Sequence, residues 1–154
     1  MKRLTVDASI CAGCRVCEMY CSYAHEMKFS PSLSRVTIIK EEKHGMDYPL
    51  FCRQCTNCTA VQSCPTNALQ KVKEGTIQVN TDLCISCGQC AIKCKYNAVK
   101  MTAGQPLICN LCEGDPICVK KCPTKAINYI ETEAFTEYPQ EAFEILKKRW
   151  KIDD

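Results

Sequence analysis

The residues able to do chemistry in this 154-residue chain are its sixteen cysteines. They fall into four runs with none left over. CISCGQCAIKC, Cys84 to Cys94, shows the pattern most clearly. Its gaps are two, two and three residues, the spacing of a bacterial-type 4Fe–4S ligand run. Three thiolates this close in sequence can wrap one face of an iron–sulfur cubane. The fourth, about one helical turn further on, points elsewhere. Gly88 permits the tight backbone that such a wrap needs. CAGCRVCEMYC, Cys11 to Cys21, repeats the same gaps. CRQCTNCTAVQSC, Cys52 to Cys64, has gaps of two, two and five, and CNLCEGDPICVKKC, Cys109 to Cys122, has two, five and three. The early Cys58 disturbs the helical turn before Cys64 without changing the ligand count.

Two other chemistries use many cysteines. A secreted disulfide scaffold is disfavoured by the start MKRLTVDASIC, which has no apolar signal region. Cysteines two residues apart also make awkward disulfide partners but suit a shared metal centre. Structural zinc pairs two C-x-x-C knuckles across a longer gap, whereas a third cysteine three residues on and a fourth four later is iron–sulfur spacing. The formal net charge of +3 leaves the cysteines neutral. Four cubanes on sixteen thiolates contribute about −2 each and bring the filled protein to about −5. The basic residues therefore act largely as counter-charge, and nucleic-acid binding is not indicated. No apolar run approaches the ~18 residues that span a bilayer, and a reducing, cytoplasmic setting is expected. There is no Gly-rich phosphate loop, no catalytic dyad spacing and no second metal motif.

The elements that must position the cysteines are short. Lys2 to Val6 alternates as a strand, and Asp7 to Ile10 turns it into the first run. Residues 22–51 form a long connection with a turn at Ser30-Pro31, a β-like run Arg35 to Lys40 and a second apolar piece from Tyr48 to Phe51. These two suggest a hairpin with Gly45 at its turn. Between the second and third runs, CPTNALQKVKEGTIQVNTDLC reads as strand, Gly75 turn, strand. AINYIE, Ala126 to Glu131, reads as a strand, and Pro139 to Trp150 as an amphipathic helix with Phe143, Leu146 and Trp150 on one stripe.

The chain is two copies of one unit. VDASICAGCRVCEMYC matches VNTDLCISCGQCAIKC at an offset of 73, and CPTNALQKV matches CPTKAINYI at 58. Cys21 to Cys52 spans 31 positions against 15 from Cys94 to Cys109, so the first copy carries an insertion of about one hairpin. Run two leads into run three through a hairpin, as in an ordinary bacterial two-cluster ferredoxin. Run four ends in a strand with no partner following it. That partner is expected at Lys2 to Val6, which leads into run one. Pairing one with two and three with four is the competing arrangement. The hairpin between runs two and three and the long insertion in copy one argue against it. In the favoured pairing each cluster takes three cysteines from one run and the last from its partner. The sets are Cys11, Cys14, Cys17 with Cys122; Cys109, Cys112, Cys118 with Cys21; Cys52, Cys55, Cys58 with Cys94; and Cys84, Cys87, Cys90 with Cys64. The expected fold is α+β: two bacterial-ferredoxin-like dicluster units with short hairpins, one nested inside a circularly permuted other. Residues 1–131 make the four-cluster domain, with its insertion at 22–51, and 132–154 a C-terminal tail.

From Cys11 to Cys122 the chain resembles the four-cluster ferredoxin-like electron-transfer subunits of multi-subunit oxidoreductases. In that family the first run pairs with the fourth and the second with the third. CEMYCSYAHEMKFSPSLSRVTI looks most like the small subunits that accompany tungsten- or molybdenum-pterin aldehyde oxidoreductase-type catalytic subunits. The resemblance implies a non-catalytic wire carrying four 4Fe–4S clusters between such a catalytic subunit and a second redox protein or flavin subunit. Subunits of hydrogenase or formate dehydrogenase complexes, or a free polyferredoxin, are the alternative.

His25 and His44 are expected to be solvated, because sixteen cysteines already fill four sites. Lys93, Lys95, Lys120, Lys121 and Lys125 read as counter-charge before they read as a docking face. Tyr20, Tyr23 and Tyr96 read as packing. The insertion, with Phe29, Val36, Ile38, Tyr48 and Phe51, and the tail, with Phe143, Leu146 and Trp150, are extra to the repeated scaffold. They either dock a partner or shield the clusters.

Overall fold

The computed structural model describes residues 1–72, 75–135 and 137–153. The middle of the turn expected around Gly75, at 73–74, lies outside them, as do positions 136 and 154 of the tail. Among the described residues eight short strands form four separate antiparallel two-stranded ribbons. β1 (Lys2–Val6) pairs with β8 (Ile127–Glu131), placing Leu4 opposite Tyr129. The first and last strands of the scaffold thus meet, as the unpartnered end of run four requires. β2 (Thr37–Glu41) pairs with β3 (Met46–Leu50), β4 (Leu69–Lys71) with β5 (Ile77–Val79), and β6 (Lys100–Thr102) with β7 (Gln105–Leu107). Every strand of a two-stranded ribbon has a free edge, so Pro49 and Pro106 are tolerated within β3 and β7.

The helices begin inside the cysteine runs: α1 (Val16–Glu26), α2 (Thr59–Gln62), α3 (Gln89–Lys93) and α4 (Ile117–Lys121). α1 packs on α4 and α2 on α3. A single ribbon cannot hold itself together in water. Here the ribbons share one buried cluster in which Leu4, Ile38, Tyr48, Leu69, Ile77 and Ile127 surround buried cysteines. Among the described residues no helix is long and apolar enough to cross a membrane.

Two expectations need correction. The shorter link in the second copy already contains a hairpin, β6–β7, so the insertion in the first copy is not one added hairpin. It consists of the extension of α1 to Glu26, a 3₁₀ turn at Pro31–Leu33, and longer strands in β2 and β3. The stripe on the last helix, α5 (Pro139–Trp150), is also narrower than its spacing suggests. Ala142, Phe143 and Leu146 are buried, while Trp150 remains 43% exposed. α5 lies against β3, with the Phe143 ring edge-on to Tyr48 at 6.5 Å. The Tyr48 hydroxyl donates to the carbonyl of Glu137 at 2.5 Å. Pro139 and Glu141 suit the N-terminus of α5; the Glu141 carboxylate accepts the Tyr138 N–H at 3.0 Å. Lys147, Lys148 and Arg149 complement its C-terminus.

Candidate metal centres

The four cysteine runs share one backbone device. The residue just before the second cysteine has a left-handed conformation in every run: Gly13 (φ 59°), Gln54 (52°), Ser86 (58°) and Leu111 (59°). Only one of the four is glycine. L-residues held there cost free energy, so a common demand, the wrapping of the chain around a centre, overrides local preference. A second device closes three runs. Asn67, Asn97 and Lys125, each three residues past the last cysteine of a run, are also left-handed. Each donates its N–H back to the carbonyl of that cysteine, Cys64, Cys94 or Cys122. The same turn aims amides at sulfur. Ala68 N–H donates to Cys64 Sγ at 3.2 Å, and the hydroxyls of Thr66 and Thr124 lie 3.8 and 3.7 Å from Cys64 and Cys122. Burial pulls these two thiols upward, but the N–H groups and hydroxyls outweigh it and hold both below the ordinary cysteine value.

The structure brings cysteines together across runs. Cys11, Cys14, Cys17 and Cys122 line one small cavity with Ile38 and Pro49. Cys21 lies within electrostatic reach of Cys109, Cys112 and Cys118. Cys55 faces Cys58 and Cys94, and Cys52 faces Cys55 and Cys58. Cys90 faces Cys84 and Cys87. Cys64 stands just past α2, whose partner helix α3 carries Cys90. Neighbouring groups also meet: Cys17 is near Cys118, and Cys52 is near Cys109.

The donor set fits iron–sulfur clusters. No cysteine is in a disulfide. Among the described residues no three His, Cys, Asp or Glu side chains close on a single ion. A cubane presents a separate iron to each thiolate and so spreads its ligands further than one zinc does. Burial pushes Cys17 up to about 12 and also raises Cys52, Cys109 and Cys118. Deprotonating these sulfurs is expensive unless a bound cation compensates.

Several residues around the centres give no sign of themselves in the cysteine pattern. Gln54, 2% exposed, donates through Nε2 to the Cys109 carbonyl at 2.5 Å and accepts the Ile77 N–H at 2.9 Å. It therefore joins runs two and four to β5. Buried Arg3 donates from Nη1 to the carbonyls of Arg53 and Gln54, and its guanidinium lies 4.2 Å from the Phe135 ring centre. The only trace of Gln54 in the sequence is a non-glycine where run one has Gly13. The histidines are not simply solvated, contrary to expectation. His25 is half-buried with Nε2 3.7 Å from Cys112 Sγ, and burial lowers its pKa. His44 is paired with Glu41 at 3.0 Å. The tyrosines do pack: Tyr23 stacks on Phe29 at 4.5 Å, and Tyr96 carries the Arg53 guanidinium at 4.4 Å. Of the flanking lysines, Lys120 pairs with Asp115 and Lys121 lies over Tyr20.

Residues 77–100 match the 4Fe-4S binding domain family. The chain is 41% identical over 115 residues to the polyferredoxin-like subunit of an aliphatic sulfonate oxidoreductase from Pyrococcus furiosus; the match covers 73% of this chain and 66% of that protein. An uncharacterized ferredoxin of Methanocaldococcus jannaschii is 30% identical over 132 residues, covering 85% of this chain and 74% of the relative. Among solved structures, the active-site complex BamBC of benzoyl coenzyme A reductase contains a chain that superposes with a TM-score of 0.52 at 27% identity, covering 97% of this chain and 89% of that one. The repeated cysteine loops, the match to the 4Fe-4S binding domain and the similarity to these relatives place the protein in the 4Fe-4S ferredoxin family, among the iron–sulfur electron-transfer subunits of oxidoreductase complexes.

Proposed function

We propose that the sixteen cysteines hold four 4Fe–4S clusters in two ferredoxin-like dicluster units, one nested in a permuted other, within residues 1–131. The tail at 132–154 is an addition to that scaffold. The ligand sets are Cys11, Cys14, Cys17, Cys122; Cys109, Cys112, Cys118, Cys21; Cys52, Cys55, Cys58, Cys94; and Cys84, Cys87, Cys90, Cys64. The observation that carries this reading is the packing of α1 on α4 and of α2 on α3, with thiols of partnered runs facing one another. Bound clusters supply one-electron redox steps at centres spaced closely along the chain. The protein's part is to hold the thiolates, keep water from the inner sets and orient amides toward sulfur.

The neighbour relations run in one line. The set with Cys14 meets the set with Cys21 at Cys17 and Cys118, and that set meets the one with Cys94 at Cys109 and Cys52. The set with Cys87 completes the line through the α2–α3 contact. Cys14 and Cys87, at the two ends, are exposed, whereas Cys21, Cys52, Cys109 and Cys118 are buried. Electrons would therefore enter and leave at the ends. All sixteen thiolates are used as ligands, which leaves no iron with an open position, so the chain has no catalysis of its own.

The catalytic partner is a tungsten- or molybdenum-pterin aldehyde oxidoreductase-type subunit, as the segment from Cys17 to Ile38 suggests. A second redox protein or flavin subunit takes the other end, in the cytoplasm. Of the apolar groups in the insertion and tail, Met27, Phe29 (57% exposed), Phe135, Ile145 and Trp150 remain for docking, and Ile85 and Ile92 are exposed near Cys87. Anaerobic co-purification of the native protein, with analysis for iron, molybdenum and tungsten, tests the assignment. A large subunit carrying tungsten or molybdenum is expected. Recovery with a hydrogenase lacking both metals would move the chain to the hydrogenase class. Turnover of aldehyde, formate or hydrogen by the isolated chain with a viologen acceptor would refute the wire.

A further inference from the structure

The set of Cys21, Cys109, Cys112 and Cys118 differs from the other three in what points at its sulfurs. Cys21 lies inside α1 and has no closing turn of the kind that follows Cys64, Cys94 and Cys122. Its amide partner comes from the insertion instead: Arg35 N–H donates to Cys21 Sγ at 3.3 Å. His25 Nε2 sits 3.7 Å from Cys112 Sγ. The Arg35 guanidinium faces Cys112, with Nη1 buried and without a hydrogen-bond partner and Nη2 held by Glu26 at 3.1 Å. Lys100, anchored to the Pro31 carbonyl at 2.8 Å, faces Cys21 and Glu18. Acidic groups are close as well. Glu26 is paired with Arg35, Asp115 with Lys120, and Glu113 faces His25.

The set of Cys11, Cys14, Cys17 and Cys122 is dressed the other way. The Asp47 carboxylate faces Cys11 and packs against the Cys11–Cys14 loop so tightly that a Cβ on Gly13 would strike it. Glu18, 2% exposed, faces Cys17, and its Oε2 is buried without a hydrogen-bond partner. Lys40 and Arg15 compensate from the surface side.

We infer that His25 and Arg35 hold the Cys21–Cys109–Cys112–Cys118 centre at the most positive reduction potential of the four, so that the first electron into the wire rests at a buried inner position. The inference rests on the four-cluster reading above. Reduction adds one electron and one negative charge to the centre, and no protein bond forms or breaks. An N–H donor on sulfur and a half-buried guanidinium both stabilise that added charge. Neither residue has a counterpart at its repeat position in the nested unit, where the Arg53 guanidinium faces Cys55 but lies over the Tyr96 ring. Ala98 stands at the repeat position of His25, and Arg35 belongs to the insertion.

The test is an anaerobic dithionite titration of the holoprotein with redox mediators, followed by electron paramagnetic resonance. His25→Phe and Arg35→Met should each move the most positive step to lower potential. At the wild-type midpoint the reduced-to-oxidised ratio should fall about tenfold, which is ~59 mV for one electron. His25→Gln, which keeps an N–H donor, should restore most of the shift. Asp47→Asn should move a different step, upward. The inference is overturned if both variants keep full iron and leave the most positive step in place. Loss of iron from both also overturns it, because the residues would then build the centre rather than tune it. A wild-type protein with about eight irons instead of about sixteen would refute the four-cluster reading itself.

Discussion

Cys21 and Cys94 hold the same place in the two copies of the repeat, yet the chain treats them differently. Cys94 ends α3 in extended backbone (φ −68°, ψ 112°) and enters the turn that also follows Cys64 and Cys122. Cys21 stays helical, and α1 continues to Glu26, where Met27 closes it in a left-handed conformation. The consequence is local. Cys64 and Cys122 take hydrogen bonds from amides a few residues downstream, while Cys21 takes one from Arg35, fourteen residues away. Ligand spacing fixes how a run wraps its centre but leaves the segment after it free. After Cys21 that freedom brings a histidine, a guanidinium and the β2–β3 ribbon against the cysteine runs. After Cys94 the chain has the short turn and then the β6–β7 ribbon, with three residues per strand.

Removing iron should have the largest effect. Both units should unfold together, because four ribbons and so few buried apolar side chains cannot replace the bonds to metal. Anaerobic chelation followed by circular dichroism and hydrogen exchange should show the loss of the whole stability, on the order of 5–15 kcal/mol. An apo-protein with native-like protection in either half would contradict this. Next in size are the crossed ligands. Cys21→Ala and Cys109→Ala should leave the same residual spectrum, as should Cys94→Ala and Cys52→Ala, each with about four irons fewer. If Cys21→Ala instead matched Cys11→Ala, the runs would not exchange their last ligands.

Smaller effects sharpen the difference between the halves. Phe143→Ala should cost about 3–5 kcal/mol. The loss should appear as faster hydrogen exchange in β2 and β3 rather than in β4 and β5, since α5 packs on β3. Gln54→Leu lies at the seam. It leaves the Ile77 N–H and the Cys109 carbonyl unpaired in a buried place and should cost about 1–3 kcal/mol by denaturant titration. Trp150→Ala should change stability by no more than ~0.5 kcal/mol while reducing recovery of the catalytic subunit. Unchanged recovery would assign the tail to shielding.

Much of this was legible because cysteine spacing is a strong constraint. The two repeat offsets, together with a strand left unpaired at Ala126 to Glu131, were enough to expect β1 beside β8. The β6–β7 ribbon escaped notice because Lys100 to Leu107 offers little β-branched sequence and contains Pro106, which reads as a break until its free edge is seen. His25 was set aside by ligand arithmetic. Counting thiols says nothing about who donates to them, and only the change from histidine to Ala98 between the copies hinted at a local role. Gln54 and Arg3 were invisible because their partners are backbone carbonyls more than forty positions away. The exposure of Trp150 is a property of packing rather than of helical period.

In the proposed arrangement partnered runs share centres across the whole length of the chain. An anaerobic crystal structure phased at the iron edge tests it most directly. Four separate iron-rich peaks are expected, with Cys122 bound beside Cys11 and Cys21 bound beside Cys109. Two peaks, zinc in place of iron, or Cys21 bound to the same centre as Cys11, Cys14 and Cys17 would contradict it.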